Sequence, residues 1–233
     1  MPIPLPESIH PALWRASQLA RAIGRTVPTG YQELVGELPG GGWPASTLVE
    51  MLVQQPGVGE LRLLRPALLA STRPIALIQP PHAPQALAFT NWGLPLRQLL
   101  WIRAERTADA LWATEQMLRA GTCGAVLLWQ QHMRNDALRR LHLAAQSREA
   151  LFYLIRPLVC ARDASPAPLR VGIVPAAGGV DLTFFKRRGP QQDKPVFVPL
   201  EPSPILLRRH ASPVDLPAPA APVPRSVPAS LVH

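Results

Sequence analysis

Two periods of apolar residues run along this chain. A helical period comes first: Leu13, Ala16, Ala20 and Ile23 fall on one stripe between His10 and Gly24, with Trp14 at its edge and Arg15 and Arg21 on the polar side. A turn-rich stretch follows through Leu38-Pro39-Gly40-Gly41-Gly42-Trp43-Pro44. From there short apolar runs alternate with amphipathic segments. The runs at 47–53, 74–79, 99–103, 124–129 and 150–155 read as strands; 61–70, 84–92, 108–120 and 135–148 read as helices. Strands that are apolar on both faces and separated by helices predict an α/β fold with a mainly parallel sheet covered on both sides. The pattern then changes: 169–174 and 180–186 flank Pro175-Ala176-Ala177-Gly178-Gly179 and read as a hairpin, with a last short strand at 195–198.

The chain thus divides into an N-terminal helix and linker (1–29), a core (30–200) and a tail (201–233). The tail carries eight of the 29 prolines among Ala, Ser and Val, too little bulky apolar content to offset chain entropy, and is expected to be disordered. Within it, Ile205-Leu206-Leu207-Arg208-Arg209 could dock on a partner or serve only as linker. At 233 residues and 47% hydrophobic composition the chain can bury a substantial core. No apolar stretch approaches the roughly 18 residues of a membrane span, and the first residues lack the pattern of a secretory signal. Cys123 and Cys160 each lie beside an apolar run and read as buried free thiols, so a cytoplasmic location is expected. The six histidines show no ligand spacing and no metal site is expected. The net charge of +9, carried almost entirely by arginine, favours an anionic partner, either nucleic acid or an acidic protein surface.

The run from Glu50 to Leu61 has the strand–turn–helix context of a phosphate-binding loop without its chemistry. Aligned on Gly59, the G-x-x-x-x-G-K-[ST] pattern places Gln54 at the first glycine, with Gly57 inside the turn; Glu60 takes the place of the lysine and Leu61 that of the hydroxyl. An anion in place of a cation roughly 4 Å from a phosphate turns an attraction of about 4 kcal/mol into a similar repulsion at an effective dielectric near 20.

Several of these segments resemble the core of RecA-type recombinases over about 30–188. Leu38-Pro39-Gly40-Gly41-Gly42-Trp43-Pro44 followed by Leu48-Val49-Glu50-Met51 is similar to the approach to the recombinase phosphate loop. Pro81, in Ile78-Gln79-Pro80-Pro81, takes the place of the catalytic glutamate. Trp129 ends a Walker B-like strand where an aspartate is expected, and Arg156 replaces a nucleotide-sensing glutamine. Loss at every such position with the apolar frame kept points to a pseudo-ATPase with no cofactor.

His10-Pro11-Ala12-Leu13-Trp14-Arg15-Ala16, the Gly-rich turn, Gly57-Val58-Gly59-Glu60-Leu61-Arg62 and Phe185-Lys186-Arg187-Arg188-Gly189 together resemble the ImuA-type proteins, RecA-like and SulA-related, over roughly 8–190. That resemblance implies a non-catalytic adaptor in SOS-induced, error-prone translesion DNA synthesis. Its implied partners are RecA, the Y-family-polymerase-like ImuB and a DnaE-like polymerase alpha subunit. A residual nucleotide-binding protein and a SulA-like cell-division inhibitor remain the alternatives. Leu13, Trp14, Arg15 and Ile23 are expected either to dock on a partner or to fold back on the core. Lys186, Arg187 and Arg188 on a turn, and Arg139 and Arg140 on a helix, are candidate phosphate contacts or solvated faces. The segments 130–135 and 157–168, at the recombinase DNA-loop positions, are short and lack an aromatic for stacking, so recombinase-style strand pairing is not expected.

Overall fold

The computed structural model describes residues 24–188 and 194–201; the helix expected at His10–Gly24 and most of the tail lie outside them. A two-stranded antiparallel ribbon pairs β1 (Thr26–Pro28) with β2 (Gly42–Pro44), enclosing the short helix α1 (Gln32–Val35). The main sheet is built from β3 (Thr47–Val53), β4 (Ile75–Ile78), β5 (Leu99–Ile102), β6 (Ala125–Trp129), β7 (Leu151–Pro157), β8 (Leu169–Ala176), β9 (Gly179–Lys186) and β10 (Val196–Pro199). Its eight strands lie in the order β10-β9-β8-β3-β7-β6-β4-β5. All neighbours from β8 to β5 run parallel, while β8–β9 and β9–β10 are antiparallel. The expected hairpin is β8–β9, and the sheet is mainly parallel, as the doubly apolar strands imply. The β1–β2 ribbon was not anticipated, because a Gly/Pro-rich stretch carries no alternating apolar signal.

Four further helices connect the parallel strands: α2 (Glu60–Leu69), α3 (Ala86–Asn91), α4 (Thr107–Ala120) and α5 (Asn135–Gln146). They divide between the two faces. Val49 and Met51 of β3 join Leu63, Leu64 and Ala67 of α2 and Phe89 of α3 in one core. Leu48 of β3 joins Leu111 and Leu118 of α4 and Leu138 and Leu141 of α5 in the other. The period of two along each strand sends successive side chains to opposite cores. Trp43 closes the first core from the ribbon side, edge-on to Tyr153 with ring centroids 5.8 Å apart.

Helix α2 contains Pro66 in its interior, which has no N–H for the carbonyl of Arg62 one turn earlier. That carbonyl accepts the Tyr31 hydroxyl instead, at 3.0 Å. Gly30 has φ +83, and a Cβ there would come within 2.4 Å of Pro66, so glycine permits the approach. Helix α4 stops at Gly121, whose left-handed φ of 67 lets its N–H close on the Met117 carbonyl.

Candidate functional site

The chain leaves β3 across β7 and β6 to reach β4, and leaves β7 past β3 to reach β8. Connections departing in opposite directions open a crevice at the C-terminal ends of the central strands, the place where parallel α/β sheets hold ligands. The turn 54–59 stands at that place between β3 and α2. Gly57 and Gly59 have φ +85 and +120, so both backbone N–H groups can turn inward as in a phosphate-binding concavity.

The concavity is filled by the chain itself. Glu60, the first residue of α2 and only 3% exposed, folds its carboxylate back over the turn. Its Oε1 accepts the Gly57 N–H at 2.9 Å and its Oε2 the Gly59 N–H at 3.2 Å. An acidic group at a helix N-terminus is also favoured by the helix dipole. From the opposite side Leu200 and Val180 press on the turn: a Cβ on Gly59 would lie 2.8 Å from Leu200 and 3.3 Å from Val180. Arg62 donates to the Glu201 carbonyl at 3.4 Å, fastening the end of the described chain to α2.

Two hollows flank the turn. A cleft of about 450 Å³ is bordered by Gln54, Gln79, Pro81, Trp129, Gln130 and Arg156. A smaller, almost wholly apolar hollow of about 210 Å³ is bordered by Leu61, Pro81, Phe89, Trp92 and Trp129, with Gly57 and Glu60 at one end. The residues aligned with nucleotide-handling positions are therefore neighbours in space, but they offer little to a triphosphate. Glu60 is engaged with the turn, Leu61 and Pro81 have no polar side-chain atom, and Trp129 is buried at the end of β6.

Arg156 borders the cleft, but its cation is directed into a buried network below it. Arg156 Nη1 donates to Glu50 Oε1 at 3.2 Å and its Nη2 to Asp163 Oδ2 at 3.0 Å. Arg170, opposite Glu50 in the β3–β8 register, donates its Nε to Glu50 Oε2. The remaining Arg170 nitrogens reach the carbonyls of Cys160 at 2.7 Å, Asp163 at 3.0 Å and Ala161 at 3.1 Å. One buried carboxylate thus holds two guanidinium groups, and these pin the segment after β7. Sequence reasoning saw Arg156 as a replaced sensor and missed Glu50, Asp163 and Arg170 as its network. A charged residue in the middle of the apolar run 47–53 was the available signal, since a buried carboxylate requires partners. Cys160 is nearby, donating toward the Gln131 carbonyl at 3.6 Å, and burial pushes its thiol pKa up. Both cysteines are free and buried.

The basic residues at the end of β9 do not form one phosphate-facing group. Arg187 is tied to the Glu37 carboxylate, donates to the Glu37 carbonyl at 2.8 Å and stacks over the Phe184 ring at 5.2 Å. Lys186 donates to the Ser165 carbonyl at 3.0 Å, leaving Arg188 separately exposed. Strand β9 ends at Lys186, and Arg187 and Arg188 follow outside it, so the strand does not hold the three cations as one group. On α5, Arg139 and Arg140 are both exposed, and Arg140 reaches α4 through Glu115 Oε2 at 2.9 Å. Leu13, Trp14, Arg15 and Ile23 lie outside the described residues. Among the described residues there is no group of three or more His, Cys, Asp or Glu arranged to hold a metal ion. None of the described helices is long and apolar enough to cross a membrane.

No family model matches the chain. Over 76 residues it is 30% identical to the cell division inhibitor SulA of Edwardsiella piscicida; the match covers 33% of this chain and 45% of that relative, so the chain spans less than half of the relative's length. The crystal structure of SulA from Pseudomonas aeruginosa aligns at 29% identity over 49% of this chain and 99% of that one, with a TM-score of 0.41. A third of this chain is thus related to SulA.

Proposed function

We propose that this protein is a nucleotide-free, RecA-like accessory factor of the ImuA type. In this reading it acts in the SOS response to DNA damage, as an adaptor between RecA and an error-prone polymerase assembly containing the Y-family-like ImuB and a DnaE-like alpha subunit. The observation that supports it most is the Glu60 carboxylate seated on the N–H groups of Gly57 and Gly59. A turn that satisfies its own donors with an acidic side chain has no use for a triphosphate, and leaves the parallel sheet as a scaffold. The partial SulA relationship agrees with a damage-response role. Pull-down of RecA and of the two polymerase subunits by the full chain, at moderate salt, is the test. Capture of RecA and at least one polymerase subunit is expected; loss of all three discards the reading. Calorimetry with Mg-ATP is expected to show no binding heat.

The 30% identity to SulA supports a second reading, a cell-division inhibitor acting on the division protein. Overexpression separates the two. Filamentous growth in cells that lack the polymerase partners favours the inhibitor; its absence leaves the adaptor.

A further inference from the structure

The most exposed large aromatic side chain among the described residues is Trp112, at 63%. It lies on the outer face of α4 and takes no part in either core. On the same helix Glu115, itself largely buried, binds at once two arginines that are more exposed. Its Oε1 meets Arg119 Nη2 and its Oε2 meets Arg140 Nε, both at 2.9 Å, so a guanidinium from each of α4 and α5 is fixed beside one carboxylate. Each guanidinium commits one nitrogen to Glu115, and a guanidinium carries five N–H donors, so both retain donors for an outside acceptor. Trp112 and Arg119 belong to one helical stripe, two turns apart, about 10 Å along the axis. Arg139 is exposed nearby on α5, and the acidic residues Asp109 and Asp136 lie in the first turns of the two helices.

We propose that the outer face of α4 and α5 is a binding site for single-stranded nucleic acid, on which Trp112 stacks a base and Arg119 and Arg140 hold a backbone phosphate. An accessible indole beside pre-positioned guanidinium groups is the chemistry that takes unpaired strands without reading sequence. The net charge of +9 favours the same polyanion. Glu115 prevents the two cations from spreading apart and reduces the ordering cost of holding them near one phosphate. The site is independent of the adaptor reading, since it uses neither the turn at Glu60 nor any protein partner.

The test is fluorescence anisotropy of the full chain with a labelled oligothymidylate of about twelve nucleotides. Binding is expected to quench tryptophan emission and to weaken between about 50 and 200 mM salt. Trp112→Ala is expected to lose about 5- to 150-fold in affinity, the stacking contribution of one base, with Trp112→Phe retaining most of it. Arg140→Ala is expected to weaken binding and lower the salt slope by about one, whereas Arg187→Ala leaves it unchanged. Trp112 is exposed, so its replacements are expected to melt like the parent chain. Absence of binding at low salt, equal affinity of Trp112→Ala and parent, or equal affinity for duplex without quenching overturns the proposal. So does a Trp112→Ala chain that keeps the oligonucleotide but fails to capture RecA or a polymerase subunit, which would make this a protein-docking face.

Discussion

The hydroxyl of Tyr31 completes a helix to which it does not belong: it donates to the Arg62 carbonyl at 3.0 Å, the acceptor that Pro66 leaves without its usual partner inside α2. Burial raises the Tyr31 pKa, so the group stays a donor. Tyr31→Phe is expected to lower stability by about 1 kcal/mol in urea denaturation. Tyr153 is the opposite case. Its hydroxyl is fully buried with no hydrogen-bond partner among the described residues, and burial alone raises its pKa well above 10.0. Tyr153→Phe removes an unpaired polar atom and is expected to be neutral or stabilising. A loss at position 153 as large as that at 31 would contradict this assignment.

The Glu50 network makes a prediction of a different size. Glu50 and Arg156 are 0% and 2% exposed, and Arg170 is nearly as buried. Removing the shared carboxylate by Glu50→Ala leaves Arg170 without a carboxylate partner and Arg156 with Asp163 alone, and is expected to cost about 3–5 kcal/mol. Replacing Glu50, Arg156 and Arg170 together by apolar residues of similar volume is expected to cost less than Glu50→Ala alone. Equilibrium unfolding of the two variants decides; equal losses would mean that the network contributes no coupling.

At the turn, Glu60→Ala strips the acceptor from two N–H groups, one of them fully buried, and is expected to cost about 1–3 kcal/mol. Gly59→Ala is expected to cost more than Gly57→Ala. Both sites need the left-handed backbone, but only at Gly59 does a Cβ also meet Leu200 and Val180, while at Gly57 nothing lies within 4 Å. Thermal melts of the three variants measure the order.

His142 supplies a pH dependence. Burial first, and then the charge of Lys186, lowers its pKa below the ordinary 6.5, and its Nδ1 is buried without a hydrogen-bond partner among the described residues. The folded chain therefore takes up its proton less readily than the unfolded chain. The contribution of neutral His142 is fully present above about pH 6.5 and is lost as the pH falls through that value toward the lower folded-state pKa. A His142→Gln chain is expected to show a shallower loss of melting temperature from neutral to mildly acidic pH than the parent. Parallel curves would exclude His142 as the source.

The order of strands and helices could be read from the sequence because doubly apolar runs such as 124–129 and amphipathic runs such as 108–120 have unambiguous periods. The position of Glu60 at a helix start was legible for the same reason, since Gly59 ends the turn. What the chain order could not convey was which charges meet. Glu50 and Arg170 are 120 residues apart and become cross-strand neighbours only through the β3–β8 register. Arg187 and Glu37 are 150 residues apart, so the local run Lys186-Arg187-Arg188 read as a shared cationic surface. Local sequence records propensity, whereas long-range partners follow from topology.

The contact of Leu200 with the turn bears on what it takes to open that turn to a ligand. Introducing a lysine at position 60 frees the N–H groups of Gly57 and Gly59, yet Leu200, just after β10, and Val180 of β9 still lean on Gly59. Making room for a ligand there needs changes in two distant stretches of chain, each of which alone lowers stability without a gain in binding. Opening the turn is thus opposed by intermediates less stable than the present chain, so a ligand-holding turn is not reached from it by one substitution at a time.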